Sequence, residues 1–420
     1  MPDDEVIPYV CRRCRASYSG YRAKCERCGT WNMIVPLAHA ADLPMPASAL
    51  AGLGAVKLSR TGILAWDKAM GGIFPGGIYL LGSDPGTGKS SLCMQLLGGW
   101  EFSETLYVST EEQRESVAAR AMRFGCPDVP ILAEPDLGKI LEIVSTRPDG
   151  TFIVIDSLQK IRVPGASMGG VTALKTSVAE LKKAGERSRA TLLFISHVTK
   201  DDDFAGPKTV EHDVDACAMM FLYGQARVLR CDTKNRFAQT GRAGWMRMTA
   251  EGLRDASPEL VLPPENLAGR VLTMTGSGLP AEVQALKSER SGGLTIGVPD
   301  ERVRMVCSLL GADKNGLMVR ADGDELERDP SADLPIALAI LSCVHDLPLR
   351  QRTVAWGQLT LDGRLLPGFA HDQRRDAAHD LELEPVLSPD AHKTLADVMR
   401  SLDLVELPEP SESDDDSEPR

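Results

Sequence analysis

The stretch Ile78-Tyr79-Leu80-Leu81-Gly82-Ser83-Asp84-Pro85-Gly86-Thr87-Gly88-Lys89-Ser90-Ser91 passes from an apolar run through a glycine-rich turn into a helical pattern that continues to Leu97. Strand, loop and helix in that order make a phosphate-binding loop. Backbone N–H groups freed by glycines and backed by a helix N-terminus point at an anion. In such a loop Lys89 reaches the β- and γ-phosphates of ATP and the Ser90 hydroxyl ligates Mg²⁺. Gly82, Ser83, Asp84, Pro85, Gly86, Thr87, Gly88, Lys89, Ser90 and Ser91 are therefore the candidate nucleotide contacts. The alternative is a glycine-rich turn that merely contains a lysine. The flanking runs and the intact Gly88-Lys89-Ser90 weigh against it. The pattern G-x-x-x-x-G-K-[ST] is broken once: Ser83 stands for its first glycine, with Gly82 one position early. Serine fits most turns, so a working loop of slightly altered geometry is expected.

Two close cysteine pairs, Cys11-x-x-Cys14 and Cys25-x-x-Cys28, are separated by ten residues. Four thiolates on two tight turns suit a closed, structural, tetrahedral Zn²⁺ site. A segment this poor in apolar residues would draw its folding energy from the metal. Disulfides or uncommitted thiols are the alternatives; disulfides need an oxidising compartment, and nothing in the sequence looks secreted. Residues 9–33 hold six cations (Arg12, Arg13, Arg15, Arg22, Lys24, Arg27) against the single acid Glu26. A basic finger of this kind points to nucleic acid or a partner, although a solvated face reads the same way.

The chain's net charge of −12 would argue against nucleic acid if it were spread evenly. It is not: from Glu406 onward there are seven acids and one arginine, in a Pro/Ser-rich tail that reads as disordered. With 420 residues, two or three domains are expected, and 43% hydrophobic content is enough for real cores. Residues 1–10 are acidic without an apolar centre, so no signal peptide is expected. No apolar run of about 18 residues is present to span a membrane. A cytoplasmic location follows as an expectation. Cys93, Cys126, Cys217, Cys231, Cys307 and Cys343 are scattered and read as small core residues.

The chain divides into a four-cysteine zinc finger (1–35), an Ala/Pro-rich linker (36–56), an α/β domain (57–257), a second mixed α/β segment (268–405) and the acidic tail (406–420). In the α/β domain, apolar strands at 78–81, 105–109, 151–155, 191–196, 218–223 and 227–232 alternate with helical patterns at 90–98, 112–124, 137–145 and 171–187. That alternation is the signature of a parallel sheet. In the second segment the clearest helix is 332–345, with Ser331 as its expected cap after Asp329-Pro330.

Ligands of such sheets sit at the carboxyl ends of strands. Asp156 closes the run Phe152-Ile153-Val154-Ile155 and is the candidate second metal carboxylate, although strand-end aspartates also serve as plain helix caps. Glu111, and after it Glu112, follow Tyr107-Val108-Ser109-Thr110 and could orient the attacking water; acids at a helix N-terminus are the ordinary alternative. His197, at the end of Thr191–Ser196, reads equally as a γ-phosphate sensor or as a structural histidine. Lys234-Asn235-Arg236-Phe237 could grip a phosphate backbone or reach a neighbouring subunit's ATP.

Together these elements resemble the bacterial RadA/Sms family of recombination proteins over nearly the whole chain. The resemblance is carried by Cys25-Glu26-Arg27-Cys28-Gly29-Thr30-Trp31-Asn32, Thr61-Gly62-Ile63, Gly71-Gly72-Ile73-Phe74-Pro75-Gly76-Gly77, Tyr107-Val108-Ser109 with Glu111-Glu112, His197-Val198-Thr199-Lys200, Ala205-Gly206-Pro207, Glu211-His212 and Val214-Asp215. Lys234-Asn235-Arg236-Phe237 stands where the family carries its KNRFG hallmark, here ending in Ala238. The resemblance implies a RecA-like P-loop ATPase that forms a hexameric ring on single-stranded or branched DNA, drives branch migration in recombination and repair, and admits a recombinase as partner. It also implies a Lon-protease-like C-terminal domain, through Glu282-Val283-Gln284-Ala285-Leu286 and Asp329-Pro330-Ser331-Ala332-Asp333-Leu334. There Ser331 falls at the nucleophile position, but the place of the partner lysine holds Asp372, with Gln373, Arg374 and Arg375 after it, so peptidase activity is not expected. The runner-up is a nucleotide-switched binding protein with little hydrolysis, favoured by Ser83 and Ala238.

Overall fold

The computed structural model describes residues 9–11, 16–31, 34–36, 58–101, 103–197, 209–262, 267–288 and 293–402. They fall into one unit up to Leu58 and a second from Ser59 onward. Cys14, most of the 36–56 linker, residues 198–208 and the 406–420 tail lie outside the described residues.

The first unit carries a three-stranded antiparallel sheet in the order β2-β1-β3, from β1 (Tyr9–Cys11), β2 (Ser17–Tyr18) and β3 (Ile34–Pro36). Among the described residues its buried cluster is Cys11, Cys25 and Ile34, with Tyr9, Ala16, Tyr18 and Cys28 packed against it. So small a core cannot offset chain entropy without a staple.

The second unit is built on a nine-stranded sheet in the order β12-β11-β10-β9-β4-β8-β7-β5-β6. Its strands are β4 (Ile78–Ser83), β5 (Thr105–Ser109), β6 (Ile131–Ala133), β7 (Phe152–Asp156), β8 (Thr191–His197), β9 (Ala216–Tyr223), β10 (Ala226–Arg230), β11 (Ala243–Thr249) and β12 (Gly252–Asp255). From β9 to β6 all pairs are parallel, and β10, β11 and β12 extend the sheet antiparallel. The central strands are apolar without alternation because both faces are covered. Tyr79, Leu81, Tyr107, Phe152, Val154, Leu193 and Ile195 enter one core. Ile78, Leu80, Leu106, Val108, Ile153, Ile155, Leu192 and Phe194 enter the other. The first core is closed by α1 (Leu64–Met70) and α2 (Lys89–Gly98), the second by α4 (Leu137–Thr146) and α5 (Val171–Ser188). A further helix, α3 (Arg114–Arg123), follows β5, and the short α6 (Thr209–Asp213) precedes β9.

Within the α/β domain three strands and two helices are additions to the sequence reading: β6, β11, β12, α1 and the five-residue α6. β6 is three residues long, β11 (Ala-Gly-Trp-Met-Arg-Met-Thr) has a single β-branched residue, and α1 has no side-chain cap. Each forms because a neighbour completes it. Gly244 of β11 lies so close under α1 that a Cβ there would sit 1.9 Å from the Ala65 carbonyl oxygen.

The C-terminal part has a six-stranded mixed sheet, order β15-β16-β14-β13-β17-β20. These are β13 (Arg270–Met274), β14 (Pro280–Lys287), β15 (Leu294–Ile296), β16 (Leu317–Ala321), β17 (Val354–Ala355) and β20 (Val386–Leu387), with a small hairpin of β18 (Gln358–Leu359) and β19 (Leu365–Leu366). The helices are α7 (Asp300–Leu310), α8 (Asp333–His345), α9 (His371–Asp380) and α10 (Leu395–Ser401). α8 is buried from Asp333 to Cys343, as its nearly unbroken apolar sequence requires. The expected Ser331 cap is corrected. Asp329 caps a short turn, Pro330–Ala332, by accepting the Ser331 N–H at 2.9 Å, and α8 follows from Asp333 without a side-chain cap. Proline at the first turn position makes the residue before it the cap. A separate cluster welds the two parts: Ala226, Val228 and Trp245 from β10 and β11 pack with Met274, Val354, Trp356, Ala378, Leu381 and Leu383.

Gly244→Ala is expected to lower stability by about 1–3 kcal/mol through overpacking against α1. Gly316, which has nothing within 4 Å of its Cβ position, is the control and should tolerate alanine. Equal urea midpoints for the two variants would show that α1 is not held this tightly.

Candidate active site

β4 delivers the chain to Ser83, and α2 starts six residues later at Lys89. Gly86 (φ +81°) and Gly88 (φ +110°) take left-handed backbone, which lets the turn close and opens the N-terminus of α2. A side chain at Gly88 would also meet Met248 Cε at 2.8 Å. Ser83, the departure from the usual pattern, is absent from the residues at positive φ, so glycine's freedom is not needed there. Its hydroxyl pairs with that of Thr87 and accepts from Lys89 Nζ at 2.8 Å. Ala238 likewise does not take positive φ, and its N–H donates to Asn235 Oδ1 at 3.1 Å.

Lys89 is 5% exposed. Its Nζ donates to the Ser83 carbonyl at 2.8 Å and the Asp84 carbonyl at 3.0 Å, and lies 3.5 Å from His197 Nδ1. Burial pushes the ammonium below its ordinary pKa, against the pull of Asp156, Cys93, Asp84 and Glu111. Ser90 and Ser91 occupy the first turn of α2, Ser90 half-buried and Ser91 buried.

The neighbouring strand ends bring further groups. Ser83 is in register with His197, and Ser109 with Asp156. His197 Nε2 lies 3.7 Å from Glu111 Oε1, so the imidazole spans Lys89 and Glu111. Glu111 also accepts from Ser157 Oγ at 2.6 Å. Asp156 accepts a hydrogen bond from the Tyr107 hydroxyl. Burial, and then the Asp156 charge, push that phenol well above its usual range, so it remains a donor. Glu112 is engaged instead by Ser116 and Arg120 of α3. Burial acts to raise its pKa, but hydrogen bonds from Arg120 and Ser116 hold it below the ordinary value. Arg227 of β10 was not singled out in sequence; its Nε donates to the Thr87 carbonyl at 3.2 Å. As one arginine on a strand it carries no motif.

The tetrapeptide Lys234–Phe237 is at the opposite end of the strands, where β4 and β9 begin. Asn235 bridges Ala216 at the start of β9, its Nδ2 donates to Met70 O at 3.1 Å, and its Oδ1 accepts from Phe237 N. Phe237 stacks on Phe74 at 4.6 Å and tilts against Tyr79. Lys234 Nζ donates to the His212 carbonyl at 2.9 Å. Arg236, 57% exposed at its side chain, pairs with Asp215 at 2.8 Å. The length of β4 separates this group from the phosphate loop, roughly 15–20 Å at the rise of a strand. The two sets of residues do not meet within one chain.

In the first unit the sulfur atoms of Cys11, Cys25 and Cys28 lie within 4.8 Å of one another, and Cys11 and Cys28 are 3.7 Å apart. That separation is far beyond a disulfide of about 2.05 Å. It matches the edge of a tetrahedron with Zn–S bonds of ~2.3 Å, about 3.8 Å. The three thiols thus fit a zinc site. Beside them Lys24 lies over Trp31 (5.3 Å) and Arg22 over Tyr18 (5.4 Å), and Trp31 is 64% exposed.

An AAA domain matches residues 63–203. The DNA repair protein RadA of Escherichia coli (strain K12) is 32% identical over 86% of this chain and 87% of its own length. The DNA repair protein RadA of Streptococcus pyogenes serotype M6 is 29% identical over 94% and 95%. Among solved structures, a KaiC-like protein from Pyrococcus horikoshii covers 48% of this chain and 99% of its own at 16% identity and a TM-score of 0.41. The chain belongs to the RadA family, with an AAA P-loop ATPase domain at its centre. No helix among the described residues is long and apolar enough to cross a membrane.

The purified chain is expected to carry about one zinc ion, the stoichiometry of a single closed cysteine site. Cys11→Ser and Cys25→Ser should each lower the zinc content measured by plasma mass spectrometry. A metal-free wild type, prepared without chelator, would count against the site.

Proposed function

We propose that this chain is an ATP-hydrolysing, DNA-binding motor of homologous recombination and repair, working as a homo-hexamer in the cytoplasm on single-stranded or branched recombination intermediates, with a recombinase as partner. The reading is carried by the meeting of Lys89, His197 and Glu111 at the carboxyl ends of the strands, in a chain whose relatives are DNA repair proteins. Gly82–Ser91 hold the triphosphate, with Lys89 and the α2 N-terminus meeting its charge. Ser90 and Asp156 are the residues that would hold Mg²⁺, Asp156 oriented by Tyr107. The metal supplies charge neutralisation on the transferring phosphoryl group. Glu111 orients and deprotonates the attacking water, and Glu112, engaged by Arg120, does not. His197 links that carboxylate to Lys89 and reports the state of the site.

The exposed Arg236, too far from its own chain's loop, serves the nucleotide of the next subunit. Cys11, Cys14, Cys25 and Cys28 hold Zn²⁺ and present the basic, Trp31-bearing finger to DNA. The 268–405 segment is a Lon-like domain without peptidase activity. Ser331 is fully buried, its Oγ has no hydrogen-bond partner among the described residues, and a Cβ at Gly368 would lie 1.7 Å from it. Neither Ser83 nor Ala238 takes positive φ, which supports turnover over a switch that only binds nucleotide.

Steady-state ATPase with and without single-stranded DNA, at low and high salt, tests the reading. DNA should stimulate turnover in a salt-sensitive way. Lys89→Ala should abolish it. Glu111→Gln should lower kcat by about 100-fold or more while leaving nucleotide affinity nearly unchanged. Turnover indifferent to DNA, or a fully active Glu111→Gln variant, would reject the motor.

A further inference from the structure

The loop that carries Lys234–Phe237 joins β10 to β11 and is closed at its neck, where Gly241 N donates to the Cys231 carbonyl at 2.8 Å. The C-terminal domain grips that neck. Arg242 Nη2 donates to both carboxylate oxygens of Asp380, at 3.2 and 3.0 Å. Gly241 (φ +87°) is packed against α9 so closely that a Cβ would lie 2.4 Å from Gln373 Nε2. Asp380 is only 18% exposed at its side chain and also lies 4.0 Å from Lys68 of α1. The last carbonyl of that helix, Met70 O, is the one that holds Asn235 Nδ2. One carboxylate of the C-terminal domain therefore addresses the loop from two sides, at its neck through Arg242 and at its tip through α1 and Asn235. α9 is itself immobilised. Fully buried Arg374 bonds Asp329 and the carbonyls of Met274 and Phe369, and Ala378 sits in the core shared by the two parts.

We propose that the C-terminal domain is a strut that positions the Lys234–Phe237 loop, with Asp380 as the positioning residue and Arg242 as its partner. It deepens the reading of Arg236 as a residue acting on the neighbouring nucleotide. A closed loop of this size moves as a body, so releasing the neck displaces the tip without touching the phosphate loop.

The test uses the full chain as Asp380→Ala, Arg242→Ala, the double variant and Asp380→Glu. Hydrogen exchange of the 231–242 amides should speed up in both single variants. DNA-stimulated kcat should fall by about five- to tenfold, the range for coupling through a packed contact, while the KM for ATP stays within about twofold. If the pair acts as one unit, the double variant is no worse than either single variant, and Asp380→Glu restores most of the rate. Unchanged exchange at 231–242, or losses that add in the double variant, would overturn the strut. If the wild type shows no DNA stimulation, the motor reading fails on its own, and the exchange measurement still decides the strut.

Discussion

The parallel registration of β4 between β8 and β9 is the constraint on which the rest of the structure depends. It is fixed at its start by Asp215, whose N–H donates to the Ile78 carbonyl at 2.7 Å and whose carboxylate accepts the Ile78 N–H at 3.0 Å. From there the apolar residues of β4 divide between two cores, so a slip of one position would turn each core's residues to the wrong face. The same registration sets Ser83 beside His197 at the far end. A packing requirement, satisfied by residues with no chemistry, thus decides where the polar strand ends meet.

What meets there is a buried cation that must be compensated. An unpaired ammonium in an apolar interior would cost several kcal/mol or lose its proton. Lys89 avoids both outcomes by donating to two carbonyls and a hydroxyl, with Asp156 and Glu111 close enough to favour its charged form. The carboxylates are kept apart by separate partners. Tyr107 takes Asp156, Ser157 and His197 take Glu111, and Arg120 takes Glu112. Two adjacent glutamates thereby acquire different surroundings, one facing Lys89 through an imidazole and the other neutralised on α3.

The central strands and the helices behind them were legible because they are uniformly apolar or plainly periodic, and the phosphate loop because its glycines have a stated backbone task. β11, β12 and α1 were not. Their sequences hold too few β-branched or periodic residues, and tertiary contact supplies what propensity lacks. The reading of Ser331 as a cap failed although Pro330 contained the answer: a proline at the first turn position makes Asp329 the cap. Arg227, Tyr107, Ser157 and Asp380 could not have been chosen from sequence. Each owes its place to a partner dozens to more than a hundred positions away, and none lies in a spacing that chemistry requires.

The sequence around 258–267 reads as a boundary between two domains, yet the contacts cross it freely. Trp245 and Val228 of the ATPase sheet share a buried cluster with Trp356 and Leu383, and the Tyr223 hydroxyl donates to the Pro280 carbonyl. A flexible attachment would leave those indole and aliphatic faces wet, and burying each large side chain is worth about 1.5–3 kcal/mol. The antiparallel extension β10–β12 accounts for this arrangement. It reaches the phosphate loop through Arg227 and Met248, carries the Lys234–Phe237 loop between β10 and β11, and offers its outer residues to the C-terminal domain. One three-stranded sheet edge thus touches all three regions, so a change at any of them is felt first in the strands they share.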